Sequence, residues 1–451
     1  MLVKFIPSLK NNKIINWLER FLCSPFYIIF VALLLVISEI FSIELIIYYL
    51  LMIISIIIPA LLIHDMTPAV PFLVMIHIAV SKNTLDKDKT VFLNTHLGAF
   101  LVFAIITALF LFARLIFDLI TEPERRKYPR FLIGYIAILV AYSLGGLFTD
   151  KYSFDNFAFG IREFISISFL YFYFVYAIDW KKFKKDYFAY LFTVFGVAVS
   201  IEALIIILQG KTLETGWGIS NDIGATIAFC IPASAYLIIK HNYKINWIYT
   251  LITIFLIGVV MMTLSRSSCV AAILLGITSF VFVYIYGDKI SRITTTELLS
   301  SFAIAGILII VFNDYFSRLI DFNFNDINEF STYRIRDWKI GMEHFSSNPI
   351  FGVGWFECTW REHNFPPRYH NTYVQLLGAT GLLGLLSYLF HRFETMIVTF
   401  KKPTLEKTFA FLCILSLMTA NFFDNYFFNI WFGLGYSFLL AVIENDHLTI
   451  N

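Results

Sequence analysis

Residues 188–208 read FAYLFTVFGVAVSIEALIIIL, an apolar run whose one charge is Glu202. A helix needs about 20 mostly apolar residues to cross the hydrocarbon layer of a membrane. Four lysines, Lys181, Lys182, Lys184 and Lys185, stand just before the run. A basic cluster beside an apolar helix marks the end of a span that stays on the cytoplasmic side. Working outward, thirteen more segments read alike: 26–41, 43–63, 66–80, 91–117, 131–148, 161–178, 222–239, 246–263, 268–286, 297–313, 370–390, 407–422 and 425–443. Segment 66–80 is short and carries Pro68 and Pro71. Glu202, deep in its span, needs a partner or a proton.

Composition agrees. The chain has 451 residues, 59% hydrophobic and only 15% charged, with 50 Phe. A water-soluble domain carries about 25% charged residues, so a soluble globular enzyme is excluded. Apolar content is too high for disorder, and the 22 Gly are too few for collagen. The cysteines at 23, 230, 269, 358 and 413 have no paired spacing, so neither a disulfide framework nor a zinc site is expected. A net charge of +2 gives no footprint for nucleic acid. The expected fold is all-α: a polytopic membrane bundle of about fourteen helices, or twelve at the lower count.

Loop charge sets the orientation. With the N-terminus inside, the inner segments hold 20 Lys and Arg and the short outer loops hold six. Dropping segment 66–80 would put Arg125–Arg130 outside, so parity keeps it. The expected organisation is an inner or interfacial N-terminus over 1–25, a bundle over 26–313, an extracytoplasmic cap over 314–369, closing spans over 370–443 and an inner tail over 444–451. Ile14, Ile15, Trp17, Leu18, Phe21 and Leu22 read either as a helix lying on the inner surface or as an ordinary leader to the first span. No cleavable leader and no whole-chain repeat is evident, which disfavours an inverted-repeat transporter.

Residues 314–369 form the one long polar segment, with eight acidic and six basic residues and with Trp338, Trp355 and Trp360. Such balance suggests a folded cap. Ser331 to Phe345 reads as an amphipathic helix with Tyr333, Trp338, Met342 and Phe345 on one side. Pro349 ends it, and Gly352-Val-Gly354 reads as a turn. A cap over a bundle makes a water-shielded chamber suited to a substrate that is part lipid and part sugar or peptide.

Four segments then converge: Thr263-Leu-Ser-Arg266-Ser; Tyr333-Arg334-Ile-Arg-Asp-Trp338; Asn348-Pro-Ile-Phe-Gly352-Val-Gly354-Trp-Phe356; and His370-Asn371-Thr-Tyr373-Val-Gln375-Leu-Leu-Gly378-Ala-Thr-Gly381-Leu-Leu-Gly384. Their order and spacing resemble the O-antigen ligase/polymerase family of bacterial envelope proteins. Gly218-Ile-Ser-Asn221-Asp, ahead of Pro232, is similar to that family's Asn-containing helix start, and Trp431-Phe-Gly433-Leu-Gly435 fits its final span. The resemblance covers roughly residues 130–445. It implies a helical fold akin to membrane glycosyltransferases, in the bacterial cytoplasmic membrane with its active site facing outside. It also implies transfer of a glycan from an undecaprenyl-diphosphate-linked oligosaccharide to a glycan or lipid-linked acceptor. The implied chemistry is inverting, with no cofactor and no metal.

The residues can be weighed by themselves. His370 begins a span at the outer face, where the helix N-terminal field disfavours imidazolium. A neutral His can take a proton from a sugar hydroxyl; the plainer reading is a helix cap. Arg266, at the outer start of another span, could grip a diphosphate through its planar fork, or reach to lipid headgroups. Arg334 on the cap helix is the second expected clamp, or else an ion-pair partner of Asp337. Asn371, Tyr373, Trp338, Gly352, Gly354 and Asn221 are expected to support the site, with capping the plainer role for Asn221. Gly378, Gly381 and Gly384 would give one helix a smooth packing face. Asp86-Lys-Asp88 could hold a metal but reads better as a solvated loop. A transporter or flippase of lipid-linked glycans is the competing class; it needs no base at the outer mouth.

Overall fold

The computed structural model describes residues 12–41, 43–63, 65–79, 89–122, 128–150, 152–211, 213–215, 218–241, 245–312, 334–355 and 369–448. Asp86, Asp88, Tyr333, Trp360 and the cap stretches 314–333 and 356–368 lie outside the described residues. The helices are α1 (Lys13–Leu22), α2 (Pro25–Phe41), α3 (Glu44–Met52), α4 (Ile58–Leu62), α5 (Ala69–Met75), α6 (Lys89–Thr121), α7 (Leu132–Ser143), α8 (Phe154–Ala177) and α9 (Tyr187–Leu208). After a two-residue antiparallel pair, Glu214–Thr215 with Gly218–Ile219, come α10 (Ser220–Lys240), α11 (Asn246–Met262), α12 (Arg266–Tyr286) and α13 (Lys289–Phe312). The cap helix is α14 (Arg334–Ser347), and α15 (Thr372–Phe400), α16 (Leu405–Ala420) and α17 (Ile430–Asn445) follow.

Each of the fourteen apolar segments falls on helix. Among the described residues, seven helices are long and apolar enough to cross a membrane, or eight if α1 and α2, bent by 68° to each other, count as one span. Leu132–Ser143 and Asn246–Met262 are shorter apolar helices. The bend separates α1 from the first span, as the surface-helix reading requires. Parity through the short segment also holds. Tyr49, in the first half of the span Glu44–Leu62, donates to the Ala99 carbonyl in the first half of α6 (2.8 Å), and Arg114 near the end of α6 reaches the carbonyls of Ala60 (3.0 Å) and Ile63 (2.8 Å) at the end of that span. The two spans therefore run in the same direction, so the chain between them must cross back. Arg114 is buried but satisfied, bonding also to Asp118 at 2.7 Å; a charge at this depth requires such partners.

The core centres on α10, 89% of whose apolar window is buried. Lipid tails are as apolar as leucine, so close backbone approach rather than a hydrophobic drive holds such helices together. Small residues supply that approach. Gly224 faces Ser268, and Gly196 faces Cys230. Ser234 of α10 also bonds Thr253 of α11 at 2.9 Å, and Tyr236 donates to Glu406 at 2.8 Å.

Two expectations are corrected in α15. This helix runs on to Phe400, so Arg392 is no inner-loop charge. It is buried, with its guanidinium 4.4–4.6 Å from the ring centres of Tyr436, Phe427 and Tyr388. Nor do the three glycines form one smooth face. Gly381 has φ 65° and ψ −159° and breaks the helix. The glycine-rich turn also proves to be something else. Residues 349–354 lie along the break and replace its missing hydrogen bonds. Val353 and Gly354 donate to the carbonyls of Gly378 (2.9 Å) and Ala379 (3.0 Å), and Leu382 and Leu383 donate to those of Pro349 (2.8 Å) and Ile350 (3.2 Å). Irregular backbone within a bundle is tolerated only when its polar groups are paired in this way.

Candidate active site

The site is built where α15 begins. Its N-cap is Asn371, not His370: the Asn371 side-chain oxygen accepts the N–H groups of Tyr373 (2.9 Å) and Val374 (3.1 Å). His370 is thereby freed from capping. It stands one residue outside the helix at φ 47°, a conformation uncommon for a side-chain-bearing residue. Trp338 reaches its carbonyl at 3.5 Å. Such strain persists only where surroundings enforce it, and it gathers at functional sites.

His370 Nδ1 lies 3.2 Å from Oδ1 of Asp424, in the turn after α16. Arg334 approaches Oδ2 of the same carboxylate at 3.9 Å. Asp424 is the residue that the sequence reading missed. It sits in the connection Asn421 to Tyr426, of which the hydropathy pattern leaves only Phe423 and Asp424 between the spans 407–422 and 425–443. The start of α15 holds that turn. Thr372 N–H donates to the Asn421 carbonyl (2.9 Å), Asn371 Nδ2 to that of Phe422 (2.9 Å), and Asn425 N–H to Asp424 itself (2.8 Å).

The electrostatics depart from the expected neutral imidazole. The hydrogen bond to Asp424 raises the His370 pKa above its ordinary value, although burial and Arg334 pull the other way. Burial alone would lift Asp424, but the bond from His370, the Asn425 N–H and the Arg334 charge together hold it below the usual carboxylate range. The fixed carboxylate outweighs the half-charge of a helix N-terminus. A proton on Nδ1 faces Asp424, which leaves Nε2 as the lone pair available to a substrate.

Arg334 therefore pairs with Asp424 across the site, while Asp337 takes the neighbouring Arg336 at 3.5 Å. The cap helix packs differently from expectation. Its buried side carries Asp337 and Gly341, because the missing side chain at Gly341 admits Val374 and Tyr369. Trp338 and Met342 instead line an open groove of about 640 Å³ with Ile335, Lys339, Glu343 and Ser346.

Arg266 heads α12 on the same face and is exposed. Ser268 and Tyr426 both donate to the Asn221 carbonyl, at 3.3 and 3.1 Å. The starts of α10 and α12 are thereby joined to the Asp424 turn. Asn221 thus acts through its backbone rather than as a cap. Tyr373 packs on Phe422 with centroids 4.4 Å apart and the rings tilted by 31°. Gly352 and Gly354 have φ 66° and 94° and belong to the patch over the helix break. So the structure brings His370, Arg334, Trp338 and Asn371 together around Asp424 and sets Arg266 and Asn221 on the adjoining helix starts. Among the described residues no group of three or more His, Cys, Asp or Glu is placed to hold a metal ion.

No curated protein matches the chain. The family model described as O-antigen ligase matches residues 251–389. That window contains Arg266, Arg334, His370 and the break at Gly381, and it ends before Asp424. Motifs, helices and match agree: this is an integral membrane protein, and its residues 251–389 are similar to the O-antigen ligase family, whose members process envelope glycans.

Proposed function

We propose that the protein is a glycosyltransferase that moves a glycan from an undecaprenyl-diphosphate carrier to an acceptor hydroxyl, on the outer face of the bacterial cytoplasmic membrane. The observation that carries this reading is the Asp424–His370 pair with Arg334 on the same carboxylate. His370 Nε2 removes the proton of the acceptor hydroxyl as its oxygen attacks the anomeric carbon. The bond from that carbon to the diphosphate oxygen breaks on the opposite face, so configuration inverts. Asp424 stabilises the imidazolium and fixes its tautomer, as a buried carboxylate does for a catalytic His. The diphosphate leaves with its electron pair and meets Arg334 and Arg266, whose charge takes the place of a metal and of a general acid. A glycosidase that must activate water needs two carboxylates instead.

The test is incubation of purified protein with a carrier-linked oligosaccharide, read on a gel. A ladder identifies a polymerase, and one shifted band on lipid A–core identifies a ligase. Intact donor after incubation with either acceptor overturns the reading.

A further inference from the structure

The face opposite His370 carries a second cavity, of about 510 Å³, walled by α1, by the turn after α4 and by the turn between α8 and α9. Its frame is rigid. The buried Asp65 accepts the N–H groups of Thr67 and Asp179 at 3.0 Å each and the Thr67 hydroxyl at 2.8 Å. The Cys23 thiol approaches its second oxygen at 3.8 Å. One side chain thus pins three stretches of chain together.

Arg20, Lys182 and Lys184 line this cavity, with Glu19 and Asp65 as its acids. Lys182 is already committed, 3.7 Å from Glu19 and 3.9 Å from Asp179. The Asp65 carboxylate is already occupied by the hydrogen bonds from Thr67 and Asp179. Among the described residues neither Arg20 nor Lys184 has an ion-pair partner. The cavity therefore offers two uncommitted cations above a fixed polar floor. Its volume is that of a small-ligand pocket.

The setting selects the ligand. Helix α1 turns 68° away from α2 and exposes Ile14 (74%) and Trp17 (64%). Apolar side chains displayed on a short helix with basic neighbours lie in the headgroup layer, and basic pockets at that depth take anionic headgroups. We infer that this pocket binds the phosphate of an anionic lipid headgroup between Arg20 and Lys184. The site is independent of sugar transfer on the other face.

The test uses the full-length protein in a neutral detergent, titrated with phosphatidylglycerol and read by native mass spectrometry. One tightly held phosphatidylglycerol is expected. Its affinity should fall at least 10-fold in the Arg20→Gln, Lys184→Gln variant and should survive Lys184→Arg. Phosphatidylcholine should not compete. Unchanged retention in the double Gln variant, with a normal elution volume confirming its fold, overturns the site. Displacement of the lipid by millimolar inorganic phosphate overturns the lipid assignment and makes this a soluble-phosphate pocket. Both readouts are binding, so neither depends on the transferase reading.

Discussion

At the scale of single residues, the hydrogen bond between Asp424 and His370 governs pH dependence. In the proposed mechanism the neutral imidazole is the base, so turnover should rise as pH passes upward through the His370 pKa, which Asp424 holds above its ordinary value. Asp424→Asn removes the cause of that rise. The acid limb of the turnover profile should then move to lower pH, and the plateau should fall by roughly 10²-fold or more as the tautomer is lost. An acid limb that stays in place would assign it to another group. His370→Ala should reduce turnover by on the order of 10² to 10⁴ with the protein still folded. Because Asn371 already caps α15, His370→Asn should be as inactive as the Ala variant, measured as turnover per folded molecule. Arg266→Lys should weaken donor binding only in part relative to Arg266→Ala, since an ammonium keeps the charge but lacks the planar fork.

At the scale of elements, the broken helix is the feature most exposed to substitution. Gly381 has a backbone conformation open essentially to glycine alone, and a Cβ there would stand 2.4 Å from the Ile350 carbonyl. Gly381→Ala should therefore cost about 1–3 kcal/mol from backbone strain, seen as a lower midpoint in thermal unfolding of the detergent-solubilised protein. Leu382→Ala, whose side chain is partly exposed, should leave that midpoint near the parent value. Hydropathy located the apolar helices because burial in lipid is read from runs of apolar residues, as in 188–208, although among the described residues only seven or eight of them are long enough to count as spans. It could not place the break. Gly378, Gly381 and Gly384 look alike in sequence, and only the packing of residues 349–354 decides which one leaves the helix. Asp424 was hidden for the same reason. Its role depends on a turn folding back over residues more than fifty positions away, whereas His370, Arg334 and Arg266 sit in motifs that are contiguous in the chain. Arg392 was misplaced because a charge near a span end is read as a loop charge, while three aromatic rings can house a cation within the helix.

At the scale of the whole molecule, the charge asymmetry of the loops predicts which face meets the cytoplasm. In a variant without native cysteines, Ser346→Cys should react with an impermeant thiol reagent in intact cells, and Lys181→Cys only after permeabilisation. The reverse pattern would put the His370 face inside and end the case for extracytoplasmic transfer. The proposed grip of two arginines on the diphosphate predicts a further property. Turnover should survive exhaustive chelation, and Asp86→Ala with Asp88→Ala should be nearly silent. Activity lost in chelator and restored by magnesium or manganese would return the loop aspartates to the mechanism.

The splice between residues 349–354 and α15 also limits where the molecule can hinge. Backbone hydrogen bonds join the segment that follows α14 to both halves of the helix that begins beside His370. Arg334 and His370 therefore travel as one piece, like two jaws cast on the same arm. In the proposed reading, entry of a bulky sugar on a lipid tether would move that arm relative to the helix that carries Arg266. Spin labels at 346 and 270 should change separation when donor binds, and labels at 346 and 382 should keep theirs.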